Sequence, residues 1–148
     1  MTKLEIRNSK FAGRSAHASG PVRDFTDLQV WQLARELRKL SYGLVRSFPP
    51  QEKFVLSAQL RRAAISITAN IAEGFGRYSY QENIQFCRLA RGSAFEVRDH
   101  LTTAVDQQYI TPEQYSDADA LVQRVVQTLN GYIRSTRARQ AEPKRVPS

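Results

Sequence analysis

The longest stretch with one consistent pattern runs from Leu56 to Gly76, LSAQLRRAAISITANIAEGFG. At 3.6 residues per turn, Gln59, Arg62, Ser66, Asn70 and Glu73 fall three or four apart and line up as one polar stripe of a helix. Leu56, Leu60, Ala63, Ala64, Ile67 and Ile71 form an apolar seam on one side of it, and Phe54, Ala58, Ile65, Ala69 and Ala72 form a second on the other. A helix with two apolar flanks expects contact around most of its circumference. Its many small residues let neighbouring backbones approach closely. The pattern therefore predicts a central bundle helix from about Glu52 to Glu73, closed by Gly74 and Gly76 as flexible caps.

Three further helices follow from the flanking patterns. Thr26 with Gln29 resembles a capping box. From there Val30, Leu33, Leu37, Leu40, Leu44 and Phe48 make a core seam that ends at Pro49-Pro50, where donors are missing and the preceding residue is forced out of the helical region. Ser79 with Glu82 starts a third helix, which buries Phe86, Ala90, Ala94, Val97, Leu101 and Ala104. Thr111-Pro112-Glu113-Gln114 starts a fourth, with a hydroxyl cap, proline at the first helical position and Gln three after the cap. That helix presents Tyr115, Ala118, Val122, Val125, Leu129 and Tyr132 and is expected to fray after about Ser135. No segment sustains a period of two, so no sheet is expected. The predicted fold is all-α, an antiparallel up-down-up-down four-helix bundle over residues 25–135. Disordered tails are expected over residues 1–24 and 136–148.

Some large apolar residues fall off these seams: Leu28 and Trp31 on the first helix, Phe54 and Ile65 on the second, Ile84 and Phe95 on the third. One four-helix core does not readily cover them, and large exposed patches are a liability on a monomer. Self-association through these six residues is expected.

A length of 148 residues suits one domain, and 41% hydrophobic with 24% charged residues is ordinary for a globular protein. The single cysteine, Cys87, excludes an intramolecular disulfide and a multi-cysteine metal site. No apolar run approaches the roughly 20 residues that span a bilayer, and no signal-peptide core is present, so a cytoplasmic location is expected. The net charge of +8 is unevenly placed: residues 1–24 carry five basic and two acidic groups, and residues 134–148 carry five basic and one acidic. Basic ends suit an anionic partner such as nucleic acid, and equally serve solubility.

Catalytic inventories are poor. The two histidines are His17, in the tail, and His100, on the third helix. A bundle di-iron site needs two Glu-x-x-His pairs; here Glu96 and His100 are spaced by four and have no twin. No metal or other cofactor is expected, and no enzyme. Cys87 reads as a small buried hydrophobe. The Arg-then-His spacing of nucleotidyltransferase-associated helical RNases is also absent, since Arg98 lies too close to His100 and Arg91 is eight intervening residues away. The GFGRYS run at 74–79 lacks the third glycine of a phosphate loop and follows a helix, so it reads as a helix stop and cap, although amides beside Arg77 are suited to a phosphate. The cations with the strongest pattern are Arg35, Arg38, Lys39 and Arg46, a stripe on the first helix. Arg88, Arg91 and Arg98 on the third and Arg134, Arg137 and Arg139 near the C-terminus extend the candidate phosphate-binding set. No zinc-finger, helix-turn-helix or RNP signature argues for base readout. Such a set neutralises phosphates with little sequence selectivity.

Several separated motifs resemble one known family: Phe25-Thr26-Asp27-Leu28-x-x-Trp31, Gln59-x-x-Arg62-Ala63-Ala64-x-Ser66 leading to Asn70-Ile71-Ala72-Glu73-Gly74, and Ala90-x-Gly92-Ser93-x-x-Glu96-Val97. Over about residues 24–136 the chain looks like the bacterial four-helix-bundle proteins encoded within 23S ribosomal RNA intervening sequences. Members are similar in fold to the accessory variability protein of diversity-generating retroelements, a basic homopentameric barrel that binds nucleic acid and partners a reverse transcriptase. The resemblance thus implies a homo-oligomer, with five subunits the implied count, and a nucleic-acid or reverse-transcriptase partner by analogy. It supplies no catalytic residues. The expected function is a non-enzymatic accessory or scaffold protein that binds RNA through basic faces; the alternative is a protein-interaction module that displays its basic arms to an acidic partner. The Gln59–Glu73 stripe is expected to be a paired hydrogen-bond network fixing helix register or a subunit joint, with a ligand site as its alternative.

Overall fold

The computed structural model of the protein describes residues 20–143, most of which belong to four long helices: α1 (Gln29–Val45), α2 (Leu56–Phe75), α3 (Tyr80–Asp106) and α4 (Pro112–Ala141). No strand occurs among the described residues. The start of α4 follows its sequence signal: Thr111 Oγ1 accepts from the Gln114 amide at 3.1 Å, and Gln114 Oε1 accepts from the Thr111 amide at 2.9 Å. Ser79 caps α3 by accepting from the Glu82 amide at 3.4 Å. Both side chains satisfy donors that the helix itself leaves unpaired.

The first two starts differ from expectation. Asp27 Oδ2 accepts from the amides of Arg23 and Asp24, each at 3.0 Å, and Thr26 Oγ1 donates to Asp24 Oδ2 at 2.9 Å. Asp27 reaches back to the Asp24 amide and the Thr26 hydroxyl is engaged as a donor to Asp24, so the local capping is centred on Asp24 and not on Thr26. Phe25–Asp27 becomes a single 3-10 turn and α1 begins at Gln29. After the Pro49-Pro50 corner, Pro50–Glu52 forms another 3-10 turn, and Glu52 Oε2 accepts from the Leu56 amide at 3.1 Å. Glu52 thus precedes α2 and caps it from outside.

The helices pack in a ring. Each touches its sequence neighbours, and α1 also touches α4; the α2–α3 contact is the most extensive. Residue pairing shows opposite directions. Asn83, Arg91 and Arg98 of α3 bond Tyr132, Asn130 and Asp119 of α4, so one number rises as the other falls. At one end of the bundle Ser47 Oγ donates to the Tyr109 carbonyl at 3.0 Å, the Phe48 and Tyr109 rings lie 5.5 Å apart, and Tyr109 Oη donates to Glu52 Oε1 at 3.2 Å. The α1–α2 and α3–α4 connections are joined there.

The core is Val30, Ala34, Leu37 and Leu44 of α1, Leu60, Ala63, Ala64, Ile67 and Ile71 of α2, the alanine-rich face of α3, and Ala118, Val122, Val125 and Leu129 of α4. On α1 the seam is turned toward Ala34 and Ser41, small residues that permit close approach, which leaves Leu33 and Leu40 half-buried beside it. Leu28 and Ile84, expected at a subunit interface, are instead core residues of the chain itself, each 6% exposed. Leu28 is buried because it sits where the 3-10 turn folds onto α1, and Ile84 because it falls three residues before the fully buried Cys87 on the packed face of α3. Trp31 is half-buried, with Phe25 edge-on at 5.3 Å.

Two further expectations are corrected. Gly74 lies within α2 and has no positive φ; a Cβ there would stand 2.8 Å from Phe86 Cβ and 3.1 Å from the Asn83 carbonyl oxygen. Close helix approach, and not cap conformation, demands glycine at this position. At the other end, α4 continues through Ala141 instead of fraying after Ser135, because Ile133 and Thr136 are buried and carry its packed face onward. Arg137 and Arg139 are therefore helical. The remainder of the expected tails, residues 1–19 and 144–148, lies outside the described residues.

Candidate nucleic-acid interface

Along α1, Arg35, Arg38, Lys39, Tyr42 and Arg46 recur at helical spacing on one face. Arg38 is half-buried, and its Nη1 donates to Thr68 Oγ1 of α2 at 2.9 Å. Thr68 is itself buried and donates to the Ile65 carbonyl at 3.0 Å. One of the five guanidinium N–H donors is thereby fixed at the helix joint, and the rest remain for an anion. Lys39 and Arg46 are exposed. With Tyr42 and Ile65, which are 42% and 44% exposed, the three cations line an open groove of about 520 Å³ between α1 and α2. No carboxylate lines it. Arg35 sits one turn further along the stripe with its guanidinium 5.7 Å from the Trp31 ring centre, a cation–π contact that leaves it exposed.

The other cations singled out from sequence are divided. Arg98 Nε pairs with Asp119 Oδ1 at 2.7 Å, Arg91 Nη1 donates to Asn130 Oδ1 at 2.8 Å, and Arg77 Nη2 pairs with Glu73 Oε1 at 3.0 Å while lying 5.1 Å from the Phe86 ring centre. These three serve the bundle. Arg88, Arg134, Arg137 and Arg139 are exposed on α3 and α4, outside the groove lining.

The polar stripe of α2 breaks into separate pieces. Arg62 donates to Gln59, and both are exposed. Ser66 Oγ and Ser93 Oγ share a hydrogen bond of 2.8 Å across the α2–α3 joint, with Asn70 Nδ2 donating to the Ser66 carbonyl at 2.8 Å and to its hydroxyl at 3.0 Å. Glu73 turns to Arg77. Of this stripe, only the Ser66–Asn70 part reaches another helix, through Ser93 of α3.

Among the described residues no three His, Cys, Asp or Glu side chains converge as metal ligands. His17 lies outside those residues, and His100 Nε2 is buried without a hydrogen-bond partner. Cys87 is fully buried, and burial pushes its thiol up to about 11, which keeps it protonated and unreactive at neutral pH. Its Sγ lies 3.7 Å from Asn83 Oδ1, and Asn83 Nδ2 donates to Tyr132 Oη at 3.0 Å.

Tyr42 is the groove residue that the sequence reading passed over. Its signal was there: it lies four positions after Arg38 and four before Arg46, so it shares their face.

A four-helix bundle with a cationic groove on its first helix is the class that this geometry defines. The family model for the 23S rRNA-intervening sequence protein matches residues 26–131, and the chain belongs to that family. Among solved structures it is similar to a protein of unknown function from the S23 ribosomal protein family of Bacteroides thetaiotaomicron VPI-5482, at 28% identity and a TM-score of 0.65, with 70% of this chain and 97% of that chain covered. No curated relative matches the chain. No described helix is long and apolar enough to cross a membrane.

Proposed function

We propose that this protein is a non-enzymatic, homo-oligomeric RNA-binding accessory protein of the cytoplasm, which holds phosphates through the α1 groove with little base selectivity. The observation that carries this reading is the carboxylate-free groove in which Arg38, Lys39 and Arg46 converge beside Ile65. Three cations around an open, shallow depression attract a polyanion without enclosing a small ligand. Exposed Arg88, Arg134, Arg137 and Arg139 extend the positive field over other faces. Self-association is supported by apolar surface that the chain leaves uncovered outside the groove: Phe54, just ahead of α2, is 83% exposed, Ala69 is exposed, and Ala58 and Ala72 are half-buried, whereas Ile65 belongs to the groove. Phe95 of α3 adds another exposed aromatic. Five subunits is the count implied by the likeness to the retroelement accessory protein, and a reverse transcriptase would be the partner by the same analogy.

Filter binding of an RNA oligonucleotide across a salt series tests the reading. The logarithm of affinity is expected to fall linearly with that of salt, and Lys39→Glu with Arg46→Glu to weaken binding and flatten the slope by about 1–2. Affinity indifferent to salt and to the double substitution would overturn it.

A further inference from the structure

Tyr42 sits midway between Arg38 and Arg46 on one stripe of α1, with about 12 Å of helix rise between the two cations. Its ring is 42% exposed beside the 44% exposed Ile65, so one groove offers an aromatic surface and an apolar floor between cations. A purely electrostatic surface needs no such aromatic; cations alone hold phosphates. The Tyr42 hydroxyl is in no hydrogen bond among the described residues, so neither a polar contact nor core packing accounts for its position.

We propose that the groove takes a single-stranded RNA segment, with one unpaired base stacked on Tyr42 against Ile65 while the flanking phosphates meet Arg38, Lys39 and Arg46. This rests on the RNA-binding reading above and specifies the strand state that the groove selects. Every base presents a π-face, so stacking adds affinity without sequence choice. In a duplex those faces are already stacked within the helix, and one reaches Tyr42 only by being extruded at a cost. Single strands are therefore bound more tightly than duplexes of equal charge. An acidic peptide satisfies the cations and gains nothing comparable from the ring.

The test uses the full chain with a uridine-rich single strand, a duplex of the same phosphate count, and a polyglutamate peptide of matched charge. The single strand is expected to bind best, and Tyr42→Ala to reduce the single-strand to duplex affinity ratio at least about fivefold, with Tyr42→Phe retaining it. A smaller quench of the intrinsic fluorescence by the single strand in Tyr42→Phe than in the parent assigns the contact to this one of the six tyrosines. If Tyr42→Ala leaves the ratio as it was while Lys39→Glu with Arg46→Glu still abolishes binding, stacking is wrong and the electrostatic reading stands. If neither nucleic acid binds, or polyglutamate binds as well as the single strand, the RNA-binding reading itself falls. Circular dichroism of each variant guards against misfolding as the cause.

Discussion

Arg38 Nη1 and Thr68 Oγ1 lie 2.9 Å apart, so the innermost cation of the α1 groove is also a strut between α1 and α2. Fixing a guanidinium before a ligand arrives lowers the ordering cost of binding. Thr68→Val keeps the side-chain shape and removes the acceptor, leaving Arg38 half-buried and unfixed. Urea denaturation is expected to show a loss of about 1–2 kcal/mol, and RNA affinity to fall modestly with the salt slope retained. Lys39→Ala should do the reverse, weakening RNA binding with stability within about 0.5 kcal/mol of the parent.

Arg98 is expected to behave as a structural cation. Its partner Asp119 has a side chain only 14% exposed and also accepts from Gln123 Nε2 at 2.8 Å, whereas Arg98 is 42% exposed. Solvent screening on the arginine side limits the pair to about 1 kcal/mol. Arg98→Met should therefore lower the urea midpoint slightly and leave the salt dependence of RNA binding unaltered. A marked loss of RNA affinity would return Arg98 to the phosphate-binding set.

Two glycines should respond oppositely to alanine. Gly43 lies in the last turn of α1 with nothing within 4 Å of an added Cβ, so Gly43→Ala gains helix propensity and should stabilise by up to about 0.5 kcal/mol, less than at a mid-helix position. At Gly74 the added methyl meets Phe86 Cβ at 2.8 Å and the Asn83 carbonyl at 3.1 Å, neither of which is the loose end of a flexible chain. The helices must separate, and Gly74→Ala should cost about 1–3 kcal/mol despite the better propensity. Thermal melts of the two variants check both signs.

Much of the bundle was legible because its signals are local. The capping pattern at Thr111 and Gln114, the cap at Ser79, the Pro-Pro stop and the Leu56–Ile71 seam each depend on residues within a few turns of one another. The errors arose where tertiary partners decide. Asp24 and Asp27 cap a turn that starts ahead of Thr26 and engage its hydroxyl as a donor, an arrangement that the Thr26–Gln29 spacing does not reveal. Gly74 carries the same letter whether it is a cap or a contact, and only the position of Phe86 separates the two. At the site, the α1 stripe was readable, but sequence alone offers no means of knowing that Asp119 and Asn130 would claim Arg98 and Arg91. Tyr42 shares the face of Arg38 and Arg46 by spacing alone, but that it lines a groove depends on Ile65 of another helix arriving beside it.

Assembly can be probed on the exposed aromatics. Phe54 and Phe95 are 83% and 50% exposed, and neither lines the cationic groove. If they meet another subunit, Phe54→Glu and Phe95→Glu place an unpaired charge in an apolar joint. Light scattering coupled to size exclusion should then report a smaller species than the parent, with helical content preserved by circular dichroism. A parent that elutes as a monomer would remove the interface.

The buried chemistry around Cys87 predicts how stability depends on pH. Burial raises the Cys87 thiol from 9.0 to about 11. Below pH 9 the folded and unfolded chains both keep that proton, and the thiol contributes no slope. Between about pH 9 and 11 the unfolded chain releases it while the folded chain holds it, so stability falls as pH rises, at about 1.4 kcal/mol per unit for this group. Tyr132 acts in the same sense at still higher pH: burial raises it, and the Asn83 side-chain hydrogen bond offsets that only in part. Tyr109 is raised by burial and by the adjacent Glu52 carboxylate. Melting temperatures are therefore expected to decline as pH rises from 9 toward 11. Cys87→Ala starts lower, because it removes a fully buried sulfur from the core, yet should decline less steeply between pH 9 and 11. A parent and a variant with parallel profiles over that interval would show that the Cys87 thiol ionises as readily in the folded chain as in the unfolded one.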